Sequence, residues 1–498
     1  MESKISNTSS TEFIDLNNAE QDQDEWRVIL NAVVNQLNQS YAVVLYGSKT
    51  LVLKNTFDDS YKRNRRAYMT ERDFYGLLKN ILIQVGENEK GKPIFKSKGV
   101  AWFEHRKRKQ FIDGIVFYPS TYLNGIEVKM PLHGNKLNLW EGFSVEPAQS
   151  GTWDKLQFHI EKVICRGNKE CYEYLLNWIA RCFQRPDLNG QVAIALKGEK
   201  GTGKGTLGGF LKSLFGQHGL QVNNPKHLIG NFNAHMSDCC FLFADEVFHA
   251  GDKQSENILK GIITEPTLMI ERKGIDAEEV PNRLKIMMTS NNDWIVPASK
   301  DERRYFVLEV SNTYINNKIY FDPLRAELEQ KETKEAFLWD MLHRDISEFN
   351  VNKAPETEAL QNQRAQSLDS FGKYWKDALD RGYLYQSQSS KQLNQLNDWI
   401  PEPAMDLIMA GYKQWCNAHG INQYGIISRV TLGNRLTNWG YTKKRTGQSS
   451  TRSFTIGENV KGETLTTNTR CYFYSVGSLE EAQVNFYTVE KLAMPDML

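Results

Sequence analysis

The sequence predicts an α/β protein built on a largely parallel sheet, with an α+β segment before the sheet and helical and small mixed segments after it. Three observations carry this. Short apolar strands alternate with helical patterns across residues 191–312, the arrangement that closes parallel sheets. A glycine-rich run, "LKGEKGTGKGTLGGF" (196–210), joins the strand "QVAIALKG" to the start of a helix. A second apolar strand, "CCFLFADEVF", ends in Asp245 and Glu246. Acidic residues at the carboxyl end of a buried strand stand where ligands of parallel sheets gather.

The elements follow in chain order. The first 24 residues hold no apolar core and no Arg-rich amphipathic pattern, so residues 1–24 read as a disordered tail and not as a signal or transit peptide. Residues 25–150 read as an N-terminal α+β domain: "WRVILNAVVNQL" has helical spacing, "YAVVLYG" and "TLVLKN" are strands joined by a Gly-Ser turn, and "GIVFYP" and "GIEVKM" are further strands. Two basic clusters, "YKRNRRAY" (61–68) and "EHRKRKQF" (104–111), lie in this domain, each with aromatic neighbours suited to phosphate and base contact. Residues 151–190 form a helical connector, with Leu175, Ile179 and Cys182 on one face of "ECYEYLLNWIARCF" and Leu176 and Phe183 beside them. The sheet domain is 191–312, a helical segment covers 313–384, and 385–399 is a polar Gln/Ser-rich linker. Residues 400–498 read as a winged-helix-like domain, because the helices "AMDLIMAGYKQWCNAH" and "RVTLGNRLTNWG" precede basic "YTKKRTGQSSTR" and the strand "RCYFYSV". There Lys443, Lys444, Arg445 and Arg452 would meet DNA phosphates.

Composition narrows the function. The 498 residues exceed one core, so two to four domains are expected. The net charge of +1 excludes a globally basic nucleic-acid binder and leaves local patches. No apolar run approaches the ~20 residues of a membrane helix, so no membrane partner is expected and the cytoplasm is the default location. Seven cysteines without a C-x-x-C pair read as free, buried thiols.

The glycine-rich run fits the phosphate-loop pattern G-x-x-x-x-G-K over residues 198–204. Its cradle comprises Gly198, Glu199, Lys200, Gly201, Thr202, Gly203, Lys204, Gly205 and Thr206. Backbone N–H groups of such a loop, with the following helix N-terminus, favour an anion. Lys204 supplies a point charge for the β- and γ-phosphates. The pattern calls for Ser or Thr next, yet Gly205 stands there and the hydroxyl comes one step later at Thr206. The hydroxyl ligand to magnesium is expected at Thr206, directly or through a water, and the shift leaves water alone as the alternative ligand. Asp245, 41 positions after Lys204, is the second magnesium ligand, and Glu246 would orient or deprotonate the attacking water. A third strand, "RLKIMMTSNND", ends near Asn291, placed to hydrogen-bond the γ-phosphate or the water. Arg303 and Arg304, just before the strand in "KDERRYFVLEV", are candidates for an arginine finger reaching a neighbouring subunit's site.

These four elements, in this order and span, resemble superfamily 3 helicases, in particular the helicase half of phage, plasmid and poxvirus-type primase-helicases. The likeness extends to "ILKGIITEPTLMIERKGIDAEEVPNRLKIMMTSNN", to residues 136–190 and, less closely, to 400–456. It implies an AAA+-like P-loop NTPase fold, ATP and Mg²⁺ as cofactors, a homo-hexameric ring, and ATP-driven movement on single-stranded or forked DNA. In a phage-encoded protein this would take place in the bacterial host cytoplasm. Lys204 matches the lysine of that family's first motif, Asp245 and Glu246 its second motif, Asn291 its sensor, and Arg303 or Arg304 its finger. Arg272 and Lys273 fall where the family carries a DNA-contacting hairpin, and "TLMIERKGIDAEEV" has the strand–turn–strand pattern for one. Residues 25–150 show no carboxylate pair with a partner His, so the primase or polymerase is expected to be a separate partner. Two other readings share the motifs: a non-unwinding AAA+ ATPase acting as origin binder, loader or nucleic-acid sensor, and a P-loop nucleotide kinase suggested by "GKGT".

Overall fold

The computed structural model describes residues 25–58, 63–224, 228, 230, 233–246, 253–272, 275–386, 398–446, 453–458, 464–467 and 471–495. The predicted tail 1–24, most of the predicted linker, and the predicted DNA contacts Lys273 and Arg452 lie outside the described residues. The chain is mixed α/β and divides into two compact units, one reaching to Tyr118 and including Pro131–Leu139, the other formed by Pro119–Met130 with Trp140–Leu498. The smaller unit thus ends earlier than the expected boundary at 150, and 119–130 pack with the larger one.

In the smaller unit, strands Tyr41–Tyr46 and Lys49–Asp58 form an antiparallel hairpin turning at Gly47, whose φ of +58° suits glycine. Arg63–Met69 adds to one side and Gln110–Phe111 pairs parallel with Tyr41–Tyr46 on the other. Alternation along the first strand sends Val43 toward Leu30, Val34, Phe74 and Trp102, and Ala42 and Val44 toward Leu53 on the opposite face. The two basic clusters therefore run into opposite edges of one four-stranded sheet.

In the larger unit a parallel sheet runs Gly219–Val222, Phe241–Asp245, Lys285–Ser290, Ala193–Lys197, Tyr305–Glu309. Its inner strands are buried on both faces, which is why they read as continuous apolar runs without alternation. Ala195, Leu242, Ala244, Ile286, Met288 and Val307 share the core on one face. Because all five strands point the same way, Lys197, Asp245 and Ser290 end on one edge of the sheet. The connector precedes this sheet as helix Asp154–Phe158, a π-helical stretch His159–Ile164, and helix Lys169–Gln184, capped by Asn168. All seven cysteines are free and buried.

Helix Ser370–Arg381, which precedes the predicted linker, belongs to the core of the segment beyond it. Its Phe371, Tyr374, Trp375 and Ala378 pack with Tyr412, Leu432, Trp439 and Phe486. The spacing of those four residues is one apolar helix face, and most of its partners lie beyond the linker. Helices Met405–Ala418 and Arg429–Asn438 are followed by strand Thr442–Arg445, paired antiparallel with Tyr472–Ser475. No helix among the described residues is long and apolar enough to cross a membrane.

Candidate functional site

The loop after strand Ala193–Lys197 turns twice through left-handed backbone, at Gly201 (φ +88°) and Gly203 (φ +87°), before helix Lys204–Leu214 begins. A side chain at either position would also collide with neighbours, Asn316 at Gly201 and the rings of Phe321 and His159 at Gly203. The loop is internally braced. Thr202 is buried and its hydroxyl donates to the Glu199 carbonyl at 2.9 Å. Lys204 Nζ donates to the same oxygen at 2.9 Å. Burial pushes the Lys204 amine below its ordinary value, while Glu246 and then Asp245 pull it back up.

Strand Phe241–Asp245 lies one strand away, with Lys285–Ser290 between. Thr289 on that middle strand donates its hydroxyl to Asp245 Oδ1, which fixes the carboxylate and leaves Oδ2 for another partner. Glu246 takes a left-handed φ of +56° and its N–H donates to the Thr289 carbonyl at 2.9 Å. Such backbone is uncommon for a non-glycine residue and clusters at functional sites. It ends the strand and turns the Glu246 side chain out of the ladder.

Loop and acids meet. A cavity of about 610 Å³ is lined by Lys200, Gly201, Gly203, Lys204, Gly205 and Thr206 on one side and by Asp245 and Glu246 on another. Gly198, Glu199 and Thr202 do not line it and instead shape the loop. Thr206 and Asp245 thus share one cavity, and a hydroxyl with a single carboxylate suits Mg²⁺, an ion that keeps several waters and takes its other ligands from phosphate. Asn291 follows the middle strand at the same edge, exposed and outside the cavity lining.

The two arginines are not at this edge. Ala193 N–H donates to the Arg304 carbonyl at 2.8 Å, so Arg304 sits at the start of the loop strand and not at its end. The five-residue strand between them spans roughly 13 Å. Arg304 is tied to the buried Glu302 carboxylate at 3.4 Å, and Glu302 also accepts the N–H groups of Arg303 and Arg304. The Arg303 side chain is exposed.

Of the predicted DNA contacts, Arg272 ends strand Thr267–Arg272 and pairs with Glu278 of the return strand at 3.2 Å. Asp276, Glu278 and Glu279 are exposed along that return strand. Lys443, Lys444 and Arg445 are exposed on strand Thr442–Arg445. Lys443 and Arg445 flank the Tyr472 ring at 4.3 and 5.1 Å, and Lys444 pairs with Glu402 at 3.1 Å.

Sequence reasoning missed the part of the cavity lining contributed by later helices. Phe321, Arg325 and Leu328 come from helix Lys318–Glu329, and Lys334 from helix Lys331–His343. Nothing in the helical pattern of 313–384 marks them. Gly209 and Ser213 also line the cavity, and their spacing from Gly205 along one helix face was a legible signal.

Comparisons with known proteins bear on the same region. A family described as "Family of unknown function (DUF5906)" matches residues 196–304. The chain is similar to the "DNA Primase-polymerase" of Nitratiruptor phage NrS-1, at 32% identity over 141 residues, 28% of this chain and 19% of that protein. The chain therefore spans about a fifth of that relative's length. Among solved structures, the apo NrS-1 C-terminal region matches with a TM-score of 0.52 and 16% identity, covering 92% of this chain and 100% of that one. Its A form matches with a TM-score of 0.52 and 16% identity, covering 89% and 98%. At this identity the likeness is one of fold.

Proposed function

We propose that this chain is an ATP-dependent DNA motor of superfamily 3 helicase type acting in phage DNA replication. The observation that carries the reading is the single cavity lined by both Lys204 and the pair Asp245 and Glu246. The parallel sheet supports it, because the loop strand lies between the last strand and the strand that precedes Asn291, in the manner expected of an AAA+-like P-loop NTPase. The similarity to a phage DNA primase-polymerase supports the replication role.

ATP would be held by the loop N–H groups and Lys204, whose amine would exchange the Glu199 carbonyl for a phosphate oxygen. Thr206 and Asp245 would hold Mg²⁺, which neutralises phosphate charge. Glu246 would orient or deprotonate the attacking water, and Asn291 would hold that water or the γ-phosphate. Arg303 or Arg304 would reach a neighbouring copy's site in a homo-hexameric ring. Single-stranded or forked DNA would meet the 272–273 hairpin and the Lys443–Arg445 strand, with a separate primase or polymerase as a further partner.

The test is Lys204→Ala in DNA-stimulated ATP hydrolysis and strand separation. Both should vanish, and a variant with full activity would show the site to be misassigned. One observation favours the non-unwinding alternative: the described residues of the hairpin carry more acid than base, with Glu271, Asp276, Glu278 and Glu279 against Arg272. An acidic hairpin grips phosphate poorly. Unidirectional opening of a forked duplex would exclude that alternative, and ATP hydrolysis without opening would favour it.

A further inference from the structure

His159 lies in the π-helical stretch His159–Ile164, far from the loop in sequence and fully buried beside it. Short π segments inside helices often mark functional positions. Its Nε2 lies 3.3 Å from the Gly203 carbonyl oxygen and its Nδ1 lies 2.8 Å from the Tyr320 hydroxyl. A carbonyl only accepts, so Nε2 carries the hydrogen and donates to Gly203. Nδ1 then accepts from the Tyr320 hydroxyl, and the tautomer is set by its two partners. The Gly203 carbonyl also accepts the Thr206 N–H at 3.0 Å.

A peptide unit is planar and trans, so its C=O and N–H point opposite ways. Fixing the Gly203 carbonyl toward His159, which does not line the cavity, turns the Lys204 N–H to the other side of the loop. Two further ties on this loop come from the segment that also carries Tyr320. Asn312 Nδ2 donates to Glu199 Oε1 at 2.9 Å, and the Asn316 N–H donates to the Gly201 carbonyl at 3.1 Å. Tyr320 itself is stacked on Tyr314 with ring centroids 4.1 Å apart.

We propose that His159, held by Tyr320, is a positioning residue of the nucleotide site, fixing the Gly203 carbonyl so that the Lys204 backbone N–H is presented to a bound phosphate. This rests on the reading of the loop as an ATP site. Burial keeps the imidazole neutral, with its pKa lowered to about 4, so the donor at Nε2 persists across the working pH range.

The test uses the full chain. His159→Phe keeps a ring and removes the donor. His159→Gln places an amide N–H near the position of Nε2. Tyr320→Phe removes the hydroxyl that orients the imidazole. Equilibrium binding of ADP and ATP and steady-state hydrolysis are measured for each. His159→Phe should weaken ADP and ATP alike by about tenfold, the effect of one lost hydrogen bond to a charged group, and raise KM more than it lowers kcat. His159→Gln should return to within about threefold of the parent, and Tyr320→Phe should fall between. A purely architectural role predicts a smaller active fraction, hence lower kcat at unchanged KM and unchanged affinity. Parent-like ADP affinity in His159→Phe, with Lys204→Ala still abolishing binding, overturns the inference alone. If His159→Phe does not fold, parent-like affinity in Tyr320→Phe overturns it instead. Nucleotide binding that survives Lys204→Ala overturns the ATP-site reading and this inference with it.

Discussion

The displaced hydroxyl gives the sharpest test of the site. Thr206→Val keeps the shape of the side chain and removes the oxygen. Thr206 lines the same cavity as Asp245, and as a metal ligand its hydroxyl would contribute about 1.5–3 kcal/mol, the range for contacts to charged groups. That corresponds to a loss of roughly 10- to 150-fold in kcat/KM. The structure also supplies a rescue. A Cβ at Gly205 would meet only Phe243 Cζ, at an ordinary 3.7 Å, and Gly205 does not need positive φ. Gly205→Ser therefore fits, and replacing a helical glycine adds a few tenths of a kcal/mol to stability. The assay is ATP hydrolysis against Mg²⁺ concentration. Thr206→Val should raise the half-saturating Mg²⁺ by about an order of magnitude. Gly205→Ser alone should stay within a few-fold of the parent, and the double variant should recover most of the loss. Thr206→Val with unchanged Mg²⁺ dependence would refute the assignment of the hydroxyl. A loss that Gly205→Ser cannot rescue would refute the idea that the motif is merely shifted by one residue.

Other perturbations give signs that can be read directly. Gly208 and Gly209 are adjacent on one helix, but a Cβ at Gly208 would overlap the Phe243 ring, whereas one at Gly209 meets nothing. Gly208→Ala should therefore cost stability, about 1–3 kcal/mol of overpacking less the gain in helix propensity, and Gly209→Ala should add up to ~1 kcal/mol, both read as denaturant midpoints. His159 is neutral in the fold down to about pH 4 while the unfolded residue takes up a proton near 6.5. Its contribution is thus full above pH 6.5 and is lost as pH falls through that value toward 4, by about 3 kcal/mol in total. The denaturant midpoint of His159→Gln should fall less between pH 7 and pH 4.5 than the parent's, and parallel pH profiles would refute this. Lys443→Ala with Arg445→Ala should weaken duplex binding about equally for all sequences and flatten its salt dependence, measured by titration at several salt concentrations.

The site was legible where chemistry is written in local order. The loop leading to Lys204 and the acids at 245 and 246 follow the ends of apolar strands, and parallel topology brings those ends to one edge. The lining from later helices was not legible. Phe321, Arg325 and Lys334 reach the cavity from helices whose sequence shows only a packing face. His159 gave no signal either, since a lone histidine in an apolar helix ordinarily reads as core, and its partner Tyr320 lies 161 positions away. The assignment of Ser370–Arg381 to a helical segment before the linker left its packing partner unread for a related reason. Its aromatic face announces that it packs, and only the fold says against what.

The polarity of the sheet separates Arg303 and Arg304 from the phosphate loop of their own chain. Strand Tyr305–Glu309 runs parallel to the loop strand, so its start, where Arg303 and Arg304 lie, is at the edge opposite the phosphate loop. Arg303 or Arg304 can then reach charge in this site only from a second copy of the chain, whereas Arg325 lines the cavity within the same chain. The two candidates also differ in what removing them would do. Arg304 is anchored on the buried Glu302, so Arg304→Ala should lower stability by about 1–3 kcal/mol, the cost of exposing a buried polar group to a missing partner. Arg303 is exposed, with a side chain free to project. Arg303→Ala should therefore keep the parent's denaturation midpoint and lose hydrolysis. Mixed with Lys204→Ala, it should regain activity, because each contributes the part the other lacks. A mixture no more active than the two variants apart, with both folded, would rule out an arginine shared between copies.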